Sequence, residues 1–119
     1  MADAYKPLYF VGSSRDDLSG FPKSARQALG HQLLRVQQGL LPSAWKPMQA
    51  VGPGVREIRV DIGDAFRVFY VAKFSDGIYV LHAFSKKTQK TSPRDIELGK
   101  SRYKSLVNEF RQNKNRAKS

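Results

Sequence analysis

The chain has 119 residues, with 21 lysines and arginines against 10 acidic residues and a formal net charge of +11. That length predicts a single domain over residues 1–119 with a conventional hydrophobic core. The positive charge indicates a polyanionic partner: nucleic acid is the leading candidate, and an acidic protein, an anionic membrane surface or simple solubility are the alternatives. Because cysteine is absent, disulfides, thiolate metal sites and cysteine nucleophiles are excluded.

Hydropathy and histidine placement exclude two further classes. No apolar run reaches the roughly 20 residues that span a bilayer, and the N-terminus does not resemble a signal peptide. We therefore expect a soluble cytoplasmic protein without a membrane partner. His31 and His82 lie far apart in sequence, whereas zinc sites draw on clustered ligands. We expect no metal site and no cofactor.

The first forty residues predict a short strand followed by two helices. Residues 8–11 are β-prone, and Gly12 closes this strand before a brief helix for which Ser14 is the expected N-cap. A longer amphipathic helix starts at Pro22, and Gly39 suits its C-terminal cap. Its apolar residues recur at helical spacing: Ala25, Leu29, Leu33, Val36 and Leu40.

The middle of the chain predicts a loop and then a meander of strands. Residues 41–54 are rich in proline and glycine, so we expect a loop from which Trp45 and Met48 fold back onto the core. Good turn residues then separate three β-prone segments, which predict antiparallel strands. These strands are Arg56–Ile62, Phe66–Lys73 and Ile78–Ser85.

The end of the chain predicts one more helix. Ser92 is the expected N-cap and Pro93 suits the first turn, and apolar residues then recur as far as Phe110. Residues 112–119 predict a flexible basic tail.

Turn length predicts which residues of the three strands lie opposite each other. A three-residue loop pairs Ile62 with Phe66 and assembles a continuous apolar face. A two-residue turn at 76–77 pairs Ser75 with Ile78 and again sets apolar residues against apolar ones. The two hairpins therefore predict one shared apolar face.

The reverse face then collects cations and aromatic residues. Arg67 is predicted opposite Lys86, and Phe69 opposite Phe84. Two cations directly opposite each other repel, and a shared anionic ligand would explain the arrangement. The predicted members of this face are Arg59, Asp61, Arg67, Phe69, His82, Phe84 and Lys86.

An alternative interpretation needs no ligand. The reverse face could be the solvated side of a sheet, with Asp61 neutralising Arg67 and the two phenylalanines forming a cross-strand pair. Phe84 could equally pack against the C-terminal helix instead of stacking on a base.

Three segments of the chain carry a family resemblance: Arg56-Glu57-Ile58-Arg59, Phe66-Arg67-Val68-Phe69-Tyr70, and the run from Leu81-His82-Ala83-Phe84 to Lys86-Lys87-Thr88-Gln89-Lys90-Thr91, followed by Pro93 and a helix. They resemble the RelE/ParE toxin superfamily, and specifically its HigB-like, phage-derived branch. The resemblance implies a small α+β fold: an antiparallel sheet with helices packed on one face, the other face open to ligand, and a C-terminal helix.

The resemblance also implies a function. It suggests the toxin of a type II toxin–antitoxin system, an mRNA interferase that cleaves mRNA on the ribosome, inhibits translation and arrests growth. Its partners would be mRNA, the ribosome and a small antitoxin with a helix-turn-helix domain. ParE-like relatives share the fold but inhibit gyrase, and a non-catalytic RNA-binding module is a third possibility.

Metal-independent RNA cleavage needs a deprotonated 2′-OH and stabilisation of the charge on the phosphorane. Arg67 is the first candidate for that stabilisation, because a guanidinium grips two phosphate oxygens. Arg59 is the second, with a salt bridge to Glu57 or Asp61 as its structural alternative.

Lysines and one histidine are the candidates for proton transfer. Lys86 or Lys87 could act as a base if neighbouring cations lower its pKa, and both could instead bind phosphate, as could Lys90. His82 has a suitable intrinsic pKa, although a lone strand histidine is more often structural. Some relatives carry a tyrosine where this chain has Ser92 and Pro93, so the resemblance supplies no general base.

A second basic patch follows the strands. Residues 86–104 contain seven lysines or arginines and two acids, which would suit ribosomal RNA or simply form a solvated surface. The predicted RNA-binding residues are Lys90, Phe69, Phe84, Arg94, Lys100 and Arg102.

Overall fold

The computed structural model describes residues 5–88 and 90–118, and within them it contains five strands and three helices. The three long strands follow one another directly along the chain. The elements are β1 (Leu8–Phe10), α1 (Ser14–Ser19), α2 (Lys23–Gln37), β2 (Trp45–Pro47), β3 (Val55–Ile62), β4 (Asp64–Val71), β5 (Ile78–Lys86) and α3 (Pro93–Lys118).

The strands form a single mixed sheet in the order β1-β5-β4-β3-β2. The three long strands make the predicted antiparallel meander, whereas β1 pairs parallel to β5. The α+β class and the C-terminal helix are thereby confirmed. The parallel pair arises because α1 and α2 intervene before the meander, so that β1 reaches the far edge of β5.

Helix α2 covers one face of the sheet, as its apolar spacing predicts. Ala25, Leu29 and Leu33 are buried against the sheet. The helix ends before Leu40, since Gly39 has φ +86° and the Leu40 N–H bonds the Arg35 carbonyl at 2.9 Å. This is a Schellman ending. The prediction for Gly39 is confirmed, but Leu40 lies beyond the helix and is exposed.

Strand β2 lies where a loop was predicted. Trp45–Pro47 pairs with β3 at the sheet edge, a position that tolerates proline because its outward side needs no N–H. The guanidinium of Arg56 lies 5.1 Å from the Trp45 ring centroid. Met48 is buried, as predicted.

The predicted register of the first hairpin is wrong by two residues. Ile62 pairs with Asp64, and Val60 pairs with Phe66. The chain reverses at Gly63, whose φ of +73° suits glycine. Because an even slip keeps each side chain on its own face, the apolar face is preserved.

The second hairpin contains a β-bulge, and the predicted pairs across it are also wrong. Phe69 lies opposite His82 while Tyr70 lies opposite Val80, so Leu81 is the extra residue. The predicted two-residue turn is wrong as well, because β4 ends at Val71, which pairs with Tyr79. The longer connection and the bulge together place Arg67 opposite Phe84 instead of Lys86.

Helix α3 packs on the second face of the sheet, so helices occupy both faces and not one. Leu106 on α3 is buried in a cluster with Phe69, Leu81 and Phe84. The alternative in which Phe84 packs against this helix is confirmed. The helix continues to Lys118, so residues 112–118, predicted as a flexible tail, are helical, and Ser119 lies outside the described residues.

Two serines at helix starts differ in role. Ser14 lies inside α1, where it is buried and its hydroxyl donates to the Val80 carbonyl at 3.1 Å, so it is not the predicted N-cap. Ser92 does cap α3, because it accepts the Asp95 N–H at 3.2 Å. None of the helices in the described part of the chain is long and apolar enough to cross a membrane.

Candidate functional site

An open cavity of about 510 Å³ lies where β3 ends, β4 begins and β5 ends. It belongs to the second sheet face, beyond the part that α3 covers, and none of its lining residues comes from α3. The lining residues are Arg59, Asp61, Gly63, Asp64, Ala65, Arg67, Lys86, Lys87 and Thr88. Four of the five residues predicted to be catalytic therefore meet here.

Arg67 forms the floor of this cavity and is only 3% exposed. Its Nη1 donates to Asp61 Oδ1 at 2.7 Å and to the Phe66 carbonyl at 2.9 Å. The predicted alternative, in which Asp61 neutralises Arg67, is thus observed as a contact. The same hydrogen bond lowers the pKa of Asp61, although burial opposes the shift.

Glu57 lies beside Arg67 and is completely buried. Its Oε1 is 3.9 Å from Arg67 Nε, 4.0 Å from Arg59 Nε and 3.8 Å from Lys46 Nζ. Its Oε2 accepts the Thr91 hydroxyl at 3.1 Å. The carboxylate therefore ties the loop after β5 to the cations of the site.

The sequence interpretation missed Glu57 as a central group and missed Lys46 altogether. Strand alternation places Glu57 on the same face as Arg59 and Asp61, and that spacing was the available signal. Lys46 gave no signal, because it reaches the site from β2, a strand that the prolines of the segment concealed.

Lys86 is the most unusual cation of the cavity. It is nine-tenths buried, and within the described residues its Nζ has no hydrogen-bond partner. Burial lowers the pKa of Lys86; the Glu57 carboxylate opposes this shift, and Arg67, Lys46 and Arg59 add to it. The sequence predicted a shift through crowding by cations, but desolvation is the larger cause.

Three of the predicted residues lie under α3 and do not reach the cavity. Phe69 is fully buried, and Phe84 packs edge-on against it with 5.0 Å between ring centroids. His82 stacks on Phe84 at 4.7 Å, and its Nε2 lies 2.7 Å from Asp95 Oδ1. Burial lowers the pKa of His82, against the opposing effect of Asp95. These three side chains are buried and pack beneath α3.

The residues of the predicted basic patch also differ in exposure. Lys90, Arg94 and Lys100 are exposed, as is Lys87 at the cavity mouth. Arg102 instead lies between elements: Nη1 donates to the Leu81 carbonyl and Nη2 to Ser13 Oγ, both at 2.9 Å. Arg102 therefore holds the bulge and the start of α1 against α3.

The arrangement can bind and polarise a phosphate. Guanidinium and ammonium groups converge on one open cavity, and such groups form strong charge-assisted hydrogen bonds to phosphate oxygens. Within residues 5–88 and 90–118, no three histidine, cysteine, aspartate or glutamate side chains are grouped as metal ligands would be.

Comparison with known proteins identifies the family. A family model, Phage derived protein Gp49-like (DUF891), matches residues 16–104, which is about three quarters of the chain and includes every residue that lines the cavity. No curated protein matches. The chain belongs to this Gp49-like family of phage-derived proteins, which is related to the RelE toxins of toxin–antitoxin systems.

Proposed function

We propose that the protein is the toxin of a type II toxin–antitoxin pair, HigB-like in type, that cleaves mRNA on the ribosome without a metal ion. The observation that carries the proposal is the cavity in which buried Arg67 and the unpartnered, buried Lys86 lie together. The family supports a relationship to toxins, and the cavity chemistry supports RNA as the target.

The cleavage step uses the ribose 2′-OH as nucleophile. Its oxygen attacks the adjacent phosphorus while the bond from phosphorus to the 5′-oxygen breaks, and the departing 5′-oxygen takes a proton from water in the open cavity. The products are a 2′,3′-cyclic phosphate and a 5′-OH. Arg67 and Arg59 stabilise the charge that builds on the phosphorane oxygens. Both are carried by paired strands, which hold them rigidly.

Lys86 is the proposed general base. A buried ammonium with a lowered pKa is more readily neutral near pH 7, so its amine can take the 2′-OH proton. The resulting ammonium then lies beside the developing phosphorane, where its charge is stabilising. Lys87 at the cavity mouth binds a neighbouring phosphate.

The proposed partners follow from the exposed cations. Lys90, Arg94 and Lys100 provide a surface for ribosomal RNA, whose affinity should fall steeply with salt. We propose a small helix-turn-helix antitoxin as the neutralising partner.

Inducing the protein in cells and mapping the 5′ ends of transcripts tests the proposal. Lys86→Met is the informative variant, because it removes an unpartnered buried ammonium without stranding a buried counter-charge. We expect cleavage to fall about 10²-fold or more while the melting temperature is preserved. Lys23→Met, an exposed lysine on α2, is the matched control and should cleave normally.

Two other outcomes would contradict the proposal. Growth arrest with intact transcripts and inhibited DNA supercoiling would indicate a gyrase toxin. Salt-sensitive RNA binding without toxicity or cleavage would indicate a non-catalytic module.

A further inference from the structure

Arg67 is held by two carboxylates of opposite character. Glu57 is completely buried, and its nearest oxygen is 3.9 Å from Arg67 Nε, too far for a hydrogen bond. Asp61 forms a 2.7 Å hydrogen bond to Nη1, yet its own side chain is 70% exposed. The closer partner is therefore the one that is free to move into water.

The hairpin geometry explains this exposure. Asp61 is the penultimate residue of β3 and lies opposite Ala65, whose methyl group leaves the cavity side of the strand open. Because Asp61 is 70% exposed and belongs to neither core cluster, an outward rotation of its carboxylate would uncover no core side chain. Glu57, four residues earlier, is enclosed by the sheet and by Thr91 and cannot leave.

We propose that Asp61 is a displaceable ligand of Arg67 that occupies the guanidinium edge which an RNA phosphate takes on binding. The inference rests on the proposed function for the identity of the incoming anion. A carboxylate and a phosphodiester both present paired oxygens to a guanidinium, so one can replace the other. Glu57 remains in place and keeps Arg67 oriented during the exchange.

This arrangement selects for polymeric anions. Asp61 competes at the high effective concentration of an attached group, so a lone phosphate exchanges poorly. A strand that also contacts Lys87 and the exposed cations of α3 keeps its next phosphate near Arg67 and displaces Asp61. The substrate class is thus an extended polynucleotide, with mononucleotides and free phosphate disfavoured.

Binding of a non-cleavable probe tests the exchange. The probe is a fluorescent single-stranded RNA, uniformly 2′-O-methylated so that it has no 2′-OH, and anisotropy at constant salt gives Kd. Asp61→Asn should bind the probe about three- to tenfold more tightly than the wild type. Asp64→Asn is the matched control, since Asp64 lines the same cavity and its replacement changes net charge equally. It should change Kd less than twofold.

Two results would overturn the inference. Equal tightening by both variants would mean that only net charge matters, and weaker binding by Asp61→Asn would mean that Asp61 orients Arg67. Failure of the proposed function is read separately, from cleavage of unmodified RNA. If Asp61→Asn alone tightens the methylated probe and no RNA is ever cleaved, the exchange stands and the nuclease does not.

Discussion

The two ends of the second sheet face use the same strands for opposite purposes. Under α3, Phe69, His82 and Phe84 form an apolar cluster with edge-on and stacked rings. A few residues along the same strands, Arg67 and Lys86 are as deeply enclosed but lie around an open cavity. The strand pattern does not distinguish these ends; the path of α3 does.

The energetics of the two ends also differ. Burying aromatic rings stabilises the fold, whereas burying several charges costs desolvation that ion pairing often fails to recover. The charged end is therefore hard to explain as a device for stability. Its cost is consistent with a binding role, which is what the proposed function requires.

The substitution Phe69→Ala disrupts the apolar cluster under α3 most directly. Phe69 is fully buried, so its truncation should lower the free energy of unfolding by about 3–5 kcal/mol, measured by urea denaturation. Arg59→Ala, at the half-exposed edge of the charged end, should lower it by no more than about 1 kcal/mol. A stable Phe69→Ala protein with impaired RNA binding would reverse the roles assigned to the two ends.

Two glycines, Gly99 in α3 and Gly30 in α2, test how closely α3 packs on the apolar cluster. A Cβ at Gly99 in α3 would lie 2.9 Å from Phe69 Cδ2 and 3.1 Å from Val51 Cγ1. Gly99→Ala should lower the free energy of unfolding by about 1–2 kcal/mol, because overpacking outweighs the helix propensity of alanine. At Gly30 in α2 no described atom lies within 4 Å of such a Cβ. Gly30→Ala should therefore raise the free energy of unfolding by up to about 1 kcal/mol. If Gly99→Ala and Gly30→Ala changed the free energy of unfolding equally, α3 would not pack closely on Phe69.

The smallest expected effect is the pH dependence of stability contributed by His82. Burial lowers its pKa in the folded state, so the unfolded chain binds the proton more readily. The free energy of unfolding should therefore fall as pH drops below about 6.5, the unfolded value. His82→Gln keeps an N–H for Asp95 but does not titrate, so its melting temperature should fall less between pH 7.5 and 5.5. Identical slopes would contradict the buried, neutral imidazole.

The sequence predicts which residues share a sheet face better than it predicts which side chains and elements are in contact. Alternation correctly grouped Arg59, Arg67 and Lys86 on one face, because the side-chain period of a strand survives a two-residue slip. It could not show that α3 covers Phe69, since an amphipathic pattern reveals that a helix has an apolar side but not which sheet face receives it. The central position of Glu57 could not be predicted, because a carboxylate is expected to be exposed to solvent unless its cationic neighbours are known.

The bulge was the least predictable feature. No glycine marks it in β5, and apolar residues occupy both alternations of that strand, so either phase satisfies the pattern. The predicted two-residue turn sets Arg67 opposite Lys86, and the repulsion of that pair suggests a ligand. In the structure the longer connection, in which Val71 pairs with Tyr79, and the bulge together change this pairing. The observed pairing with Phe84 removes that particular argument, while the cavity supplies a better one.

That single extra residue also changes which sheet face the later side chains of β5 occupy. Ile78 and Val80 face the core beneath α2, yet Phe84 and Lys86, which have the same parity, face the opposite side. If Leu81 were kept and β5 alternated regularly from Ile78 without the bulge, the rest of the strand would change sides. Lys86 would then point into apolar packing and the cavity would lose its proposed base. The chemistry of the open end is therefore set five residues upstream, by a backbone irregularity that carries no charge at all.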